Sequence, residues 1–384
     1  MLDCQRSLFQ IPEDISYLNC AYLSPQMKSV EAIARHMQTQ KNEPWKLSVD
    51  NFFKPVERLK KVFAQLVNIE DPNRVAIIPS ASYGVANVTR NISLSPGQKV
   101  LMVEEQFPSN YYSWERLCQE QNGRIEFVKA PASQARSADW SAAILSAIDH
   151  QTAVVALGHV HWADGSLYDL KAIRAACDRV GAYLIIDGTQ SIGALPFDVA
   201  EIRPDALIVA GYKWLMGPYS LGLAYYGPRF DGGVPIEENW INRYNSQDFA
   251  GLVSYESRYQ AGAGRYSVGE QSNFFLVPQL ETAIQQLIAW QPARIQSYCE
   301  HIAKDAINSL LDLGMQIDQS PLRAHHLFGI RLPEGLDLEK LKQSFSENKV
   351  YVSQRGNAIR VAPHLYNTQK DFQRLVGCFK TVLS

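Results

Sequence analysis

Residues 183–222, YLIIDGTQSIGALPFDVAEIRPDALIVAGYKWLMGPYSLG, constrain the fold of this chain more than any other stretch. Two short, unbroken apolar runs stand in it, 183–186 and 206–210, and polar residues follow each at once. Runs of this length without polar alternation belong to parallel strands covered on both faces. In open α/β sheets the ligand crevice lies beyond the carboxyl ends of such strands. Asp187, Gln190 and Lys213 follow the two runs directly and are therefore expected in one crevice.

Lys213 is flanked by Tyr212, Trp214, Leu215 and Met216. Burial among such residues disfavours the ammonium, and a neutral amine can form an imine with an aldehyde. A lysine at a strand end can equally lay its stem on apolar surface and keep its amine in water. Asp187 weighs against that reading: a carboxylate ending a buried strand needs a partner, which a pyridinium nitrogen provides. Taken together, Asp187-Gly188-Thr189-Gln190, Gly211-Tyr212-Lys213 and Gly217-Pro218 resemble the pyridoxal 5′-phosphate (PLP) site of fold-type I enzymes. The resemblance is to the class V aminotransferase family, which includes cysteine desulfurases, kynureninases and isopenicillin-N-epimerase-like proteins. It implies that Lys213 carries PLP as an imine, that Asp187 pairs with the pyridine N–H, and that Gln190 bonds the phenolic oxygen. It also implies a phosphate contact from Tyr212, which could otherwise simply pack beneath the sheet. Ser220 departs from the glycine common in the family.

Upstream, 75–78 reads as a strand, and Pro79-Ser80-Ala81-Ser82-Tyr83-Gly84 opens a helix to about residue 94. Small residues at such a turn leave N–H groups free to hold a phosphate, although on the residues alone plain N-capping by Ser80 or Ser82 is the preferred explanation. The resemblance assigns the phosphate to Ala81 and Ser82. After the strand at 99–103, Phe107 stands where the resemblance puts a ring stacked on the pyridine, and a core phenylalanine is the alternative. Phe107 has no acid–base group, so proton transfer falls mainly to Lys213. The run 153–157 ends in His159-Val160-His161-Trp162. The His-x-His pair suggests a metal, but no third ligand follows at a familiar spacing. Relatives often carry Ser-Asn at the positions of His161 and Trp162, which implies a different pocket shape here. Strand–helix alternation from 75 to 226 predicts a mainly parallel sheet with right-handed crossovers.

At the N-terminal side, Ser24-Pro25 reads as a helix start, with helices to about 41 and over 50–67. Residues 231–269 are rich in turn-formers and aromatics and too long for a simple connection, so function or a subunit contact is expected there. Gly262-Ala263-Gly264 is no dinucleotide fingerprint, because Ser267 replaces the third glycine and no strand leads in. Helices to about 313, strands at 327–332, 350–353 and 358–361, and helices at 338–348 and 368–382 read as a smaller α+β unit. Arg360 is either an exposed sheet arginine or, by the resemblance, the guanidinium that grips the substrate α-carboxylate through two parallel hydrogen bonds.

The fold class is thus α/β, and the resemblance implies the PLP-dependent transferase fold of type I. Its large domain has a mainly parallel central sheet, and a small α+β C-terminal domain accompanies it. A length of 384 residues suits two domains, placed at 16–260 (large, PLP-binding) and at 1–15 with 261–384 (small). A net charge of −2 offers no general attraction to nucleic acid or anionic lipid. No apolar run reaches membrane-spanning length, and MLDCQRSLFQ lacks a signal-peptide pattern. The six cysteines are scattered without metal-type spacing and read as reduced thiols, so a cytoplasmic protein is expected. The resemblance implies a homodimeric enzyme acting on an amino acid or related amine, by transamination or by C–C, C–N or C–S lyase chemistry. Epimerisation is the alternative reaction. A non-catalytic PLP or ligand-binding module is the alternative of another class, and Lys213, Asp187 and Arg360 together weigh against it. A metal hydrolase built on His159 and His161 is a third. The resemblance disfavours cysteine desulfuration, because relatives with that activity carry a catalytic cysteine on a loop before the carboxylate-binding arginine and 351–360 holds none.

Overall fold

The computed structural model describes residues 2–131 and 136–383, so Met1 and Ser384, at the limits of the expected small domain, lie outside it. The chain opens with strand β1 (Ser16–Tyr17) and helices α1 (Lys28–Gln40) and α2 (Val49–Leu66). Helix α1 starts at Lys28 rather than at Ser24-Pro25, because Ser24 is used elsewhere. Its N–H and Oγ both donate to the Tyr212 carbonyl, at 3.1 and 3.2 Å, which ties this segment to the loop carrying Lys213. Helix α2 buries Phe53, Val56, Leu59 and Phe63, one face at helical spacing, and a Ser48–Asn51 capping box starts it.

Strand–helix alternation follows through β2 (Val75–Ile78), α3 (Ala81–Arg90), β3 (Lys99–Val103), α4 (Tyr112–Gln121), β4 (Arg124–Val128), α5 (Arg136–Ala147), β5 (Thr152–Gly158), α6 (Leu170–Val180), β6 (Tyr183–Asp187), α7 (Val199–Ile202), β7 (Ala206–Ala210) and β8 (Gly222–Tyr226). The seven sheet strands are ordered β2-β8-β7-β6-β5-β3-β4, and only β8 runs antiparallel to its neighbours. Side chains alternate between two cores: Leu184, Ile186, Leu207 and Val209 enter one, while Ile185, Ala206 and Ile208 enter the other. Two apolar faces explain the unbroken runs, since neither face of the strand meets water. Helix α3 ends at Arg90, short of the expected 94. Asn91 donates from Nδ2 to the Val234 carbonyl at 2.9 Å and accepts the Val234 N–H at 2.6 Å, spending its side chain on the 231–269 segment.

That segment folds as short 3-10 turns, among them Phe249–Val253 and Gly262–Tyr266, so the glycine-rich string there is a turn without a leading strand. Beyond it come α8 (Leu276–Trp290), α9 (Pro292–Asp312), β9 (Phe328–Arg331), α10 (Leu338–Glu347), β10 (Val350–Tyr351), β11 (Ser353–Arg355), β12 (Ala358–Val361) and α11 (Gln369–Leu383). Strands β11, β12 and β9 form a small antiparallel sheet. The single strand expected at 350–353 is divided at Val352, because β10 pairs with β1 while β11 turns to pair with β12. Among the described residues no helix is long and apolar enough to cross a membrane.

A layer of buried histidines lies beneath the end of β7. The Trp214 ring meets His326 edge-on at 4.5 Å and His364 at 6.0 Å. His326 bonds the Gln190 carbonyl at 2.8 Å through Nε2 and the Gln296 amide at 2.9 Å through Nδ1. Gly193 (φ +107°) lets the turn after β6 press on this layer, since a Cβ there would run into the Trp214 carbonyl. Burial depresses His326 to about 4, partly offset by its bond to the Gln190 carbonyl, and burial reinforced by His326 depresses His364 to about 3. An unfolded histidine takes up a proton near pH 6.5, so lowering the pH below that value favours unfolding until the folded rings also titrate. The loss should reach on the order of 3 kcal/mol per ring. The melting temperature is therefore expected to hold above pH 7 and to begin falling near pH 6.5, before carboxylates titrate. A profile flat down to pH 5 would contradict neutral burial of these rings.

Candidate active site

The first turn after β7 carries Lys213, only 7% exposed. Its Nζ lies 5.3 Å from the Phe107 ring centre and 5.5 Å from that of Tyr212. Burial lowers its pKa to about 8; Asp187 opposes this, and Arg360 and Arg355 reinforce it. Roughly one amine in ten is then neutral at pH 7, far more than for a solvated lysine. Asp187 ends β6, the neighbouring strand, and accepts the Thr189 N–H at 3.0 Å. Thr189 in turn accepts the Ala210 N–H at 3.1 Å through Oγ1, fastening the ends of β6 and β7 to each other. A cleft at this edge is walled by Phe107, His161, Trp162, Tyr168, Asp187 and Lys213. Larger hollows exist, such as that between α1, α2 and α8, but they contain neither the lysine nor Asp187.

The structure brings Phe107, Asp187, Gln190 and Lys213 to this one cleft. Gln190 is more committed than its sequence position suggested. Its Nε2 donates to the Ala21 carbonyl at 3.1 Å and its Oε1 accepts the Trp214 indole N–H at 2.9 Å, leaving one amide hydrogen for a ligand. Tyr212 is half-buried and packs on Tyr219 at 4.5 Å between ring centres. Ala81 and Ser82 form the first turn of α3, where Ser80 does the capping: its Oγ accepts the Tyr83 N–H at 3.2 Å and lies 2.9 Å from Ser82 Oγ. Ser82 stays exposed at the rim of that helix N-terminus, and neither it nor Ala81 lines the cleft that holds Lys213.

Arg360 on β12 is 1% exposed, so it is not an exposed sheet arginine. Its Nη1 donates to the Trp162 carbonyl at 3.0 Å, while Nε and Nη2 have no partner within the protein. Burial, aided by Arg355, lowers its pKa to about 9. Two free N–H groups on one edge of a guanidinium match the two oxygens of a carboxylate. A dry cation without a counter-charge is otherwise costly. Trp162 links this arginine to the cleft: its ring stands 5.5 Å from Phe107, with Arg355 5.3 Å away over it.

The two histidines after β5 do not act as a pair. His159 packs on Phe197 at 5.2 Å and burial pushes its pKa down to about 3. His161 instead bonds Asp164 at 3.1 Å. Both lie past the end of β5, where the alternate-residue rule of a strand no longer applies. Among the described residues no three His, Cys, Asp or Glu side chains assemble as a metal set. Sequence reasoning missed Thr189, Tyr168 and the His161–Asp164 bond; the i, i+3 spacing of the last, before Gly165, was its available signal. Cys20 is fully buried and its thiol is pushed up to about 12, so it is neither a nucleophile nor a ligand as it stands.

These residues suit PLP: a dry amine of lowered pKa for its aldehyde, a strand-end carboxylate for its ring nitrogen, an aromatic ring beside them, and an unpaired guanidinium for a substrate carboxylate. Comparison with known proteins leads to the same group. The family described as Aminotransferase class-V matches residues 36–375. The uncharacterised aminotransferase YcbU of Bacillus subtilis is 25% identical, over 88% of this chain and 85% of its own. Kynureninase of Pseudomonas fluorescens is 29% identical, over 70% of this chain and 66% of its own. Among solved structures, the cysteine desulfurase CsdA of Escherichia coli superposes with a TM-score of 0.82 at 17% identity, covering 98% of this chain and 97% of its own. A C-DES variant with glycine covalently linked to its PLP superposes with a TM-score of 0.85 at 18% identity, covering 98% of each chain. The fold is that of fold-type I PLP enzymes, and the chain belongs to the class V aminotransferase family of PLP-dependent enzymes.

Proposed function

We propose that this enzyme breaks a bond at Cα of an amino acid or closely related amine, in a transaminase- or lyase-type reaction. One observation carries the reading: the dry Lys213 amine faces Asp187 and Phe107 while the Nε and Nη2 of Arg360 remain unpaired behind Trp162. PLP, when bound, supplies an aldehyde that takes up an amine and a ring that draws electrons from Cα.

In this reading Lys213 would hold the cofactor, and its Nζ would move the Cα proton, a task suited to a pKa of about 8. Asp187 keeps the ring nitrogen protonated, and the Thr189 N–H fixes the carboxylate in place. Gln190 gives its remaining amide hydrogen to the phenolic oxygen. The Ala81 amide, the Ser82 hydroxyl and the Tyr212 phenol hold the phosphate at the N-terminus of α3, where backbone N–H groups favour an anion. Phe107 would lie against the cofactor ring and, with Trp162 beside it, would exclude water from the cleft. Arg360 takes the substrate carboxylate.

Relatives described as an aminotransferase and as kynureninase support this reaction class. Cysteine desulfuration is disfavoured: residues 351–360 hold no cysteine, and the buried Cys20 keeps its proton. Epimerisation is the alternative, supported by isopenicillin N epimerase of Streptomyces clavuligerus at 21% identity over 79% of each chain.

Protein loaded with PLP should change its visible absorbance on addition of particular amino acids and release a keto acid, ammonia or a cleaved side chain. Lys213→Ala should lose borohydride-fixed cofactor and turnover together. Fixed cofactor at another lysine, or indifference to every amino acid and amine tried, would overturn the reading. Arg360→Met should raise the amino-acid KM at least a hundredfold, as expected for loss of about 3 kcal/mol of charge-assisted bonding. The same variant should leave the melting temperature of the ligand-free protein unchanged or higher, because it removes an unpaired buried cation. A large fall in melting temperature with KM intact would make Arg360 structural instead.

A further inference from the structure

The cleft contains a second polar edge that the roles above leave idle. His161 is 2% exposed and Tyr168 5% exposed; both belong to the wall shared with Lys213, and His161 Nε2 and the Tyr168 hydroxyl have no partner within the protein. The other nitrogen of His161 is fixed. Asp164 Oδ1, 3.1 Å from Nδ1, also receives the Ser166 N–H at 3.1 Å and the Ser166 hydroxyl at 2.9 Å. Arg136 Nε lies 2.7 Å from the other carboxylate oxygen, and Arg331 stands 3.7 Å from it. Burial acts to raise the Asp164 pKa, but His161, Arg136 and the Ser166 N–H outweigh it and hold the carboxyl well below the usual carboxylate range. An ionised carboxylate only accepts, so Nδ1 must carry its hydrogen toward Asp164, and any proton exchanged with the cleft passes through Nε2.

The ring is also held rigidly. It lies on Trp140 at 4.7 Å, and the turn 161–166 closes through the Gly165 N–H to the His161 carbonyl at 2.9 Å and the His161 N–H to the Ser166 carbonyl at 2.8 Å. Gly165 (φ +79°) lets that turn lie flat on the small sheet, where a Cβ would run into the Leu327 carbonyl. A carboxylate, a ring oriented by it and an unpartnered nitrogen on a residue that lines the cleft make a proton-transfer group.

We propose that His161, backed by Asp164, is a second acid–base residue of this site, one that protonates the departing β-substituent of an amino acid while Lys213 holds the Cα proton. This rests on the PLP reading above and narrows its substrate class to amino acids whose β-substituent leaves through oxygen or sulfur. Lys213 Nζ takes the Cα proton, the electron pair left at Cα forms the Cα–Cβ double bond, the Cβ–X bond breaks with its pair going to X, and protonated His161 gives its Nε2 proton to X. X–H leaves, the imidazole is left neutral, and solvent restores its proton; Asp164 stays a carboxylate throughout. Transamination moves one proton that a single lysine can carry, whereas elimination of a poor leaving group needs a second. The charged and titratable groups around the ring are Asp164 with Arg136 and Arg331 behind it, and Tyr168, Lys213 and Asp187 in the lining of the same cleft.

The PLP-loaded wild type, His161→Gln and Asp164→Asn are compared on β-chloroalanine, whose chloride leaves without a proton, and on S-methylcysteine and serine, whose leaving groups need one. His161→Gln should slow the sulfur and oxygen substrates at least tenfold more than the chloride. Asp164→Asn should do the same to a smaller degree. In the proton NMR spectrum of the loaded protein without substrate, one far-downfield imidazole N–H should vanish in His161→Gln and move in Asp164→Asn, a readout independent of turnover. Equal slowing of all three substrates, or a wild type that processes only the chloride, would overturn the role of His161 while leaving the PLP reading standing. A wild type that processes no amino acid would overturn that reading instead.

Discussion

A lysine cannot be both charged and dry without cost, and the site depends on how that conflict is resolved at Lys213. The sheet creates it. Because β6 and β7 are apolar on both faces, every polar group they carry is forced to their ends, and the parallel register puts the two ends side by side. Asp187 therefore arrives beside Lys213 as a consequence of strand packing, and the Thr189 bridge to Ala210 holds the two strand ends together. The buried amine lies near the rings of Phe107 and Tyr212, so its proton is easily lost.

The small sheet adds a second conflict of the same kind. Arg360 is a buried cation whose free edge has no partner, and it acts on Lys213 in the same direction as burial does. A protein selected for stability alone would not keep two poorly compensated cations near one cleft; a carboxylate ligand relieves both at once. One histidine beneath Trp214 has the opposite design. His326 has a partner at each nitrogen and packs as a neutral core residue, giving the lysine turn a firm floor.

Much of this was legible in the sequence where the determining interactions are local. The apolar runs placed β6 and β7, a helix over 50–67 answers to α2, and the meeting of Asp187, Gln190 and Lys213 followed from what must happen at strand ends, whereas Phe107 was placed by the family resemblance. Long-range ties were not legible. The start of α1 is set by Ser24 bonding the Tyr212 carbonyl, the end of α3 by Asn91 bonding Val234, and the break at Val352 by a change of pairing partner from β1 to β12. Gln190 shows the same limit inside the site. Nothing in its neighbourhood announces that Ala21 and Trp214 take two of its bonds. His161 could have been found, because His and Asp three apart before a glycine describe a closed turn, but its place in the Lys213 cleft depends on how β5 ends.

The central claim is that residue 213 presents a dry amine whose proton is already half released near pH 8. Its most direct test is the rate at which cofactor-free protein is fixed to PLP by borohydride at that residue, mapped by peptide mass spectrometry and followed from pH 6 to 10.5. The neutral amine is the nucleophile, so the rate should climb with pH and level off above about 8. A rate still climbing at pH 10 would mean an ordinary solvated lysine, and attachment at any other residue would contradict the account outright.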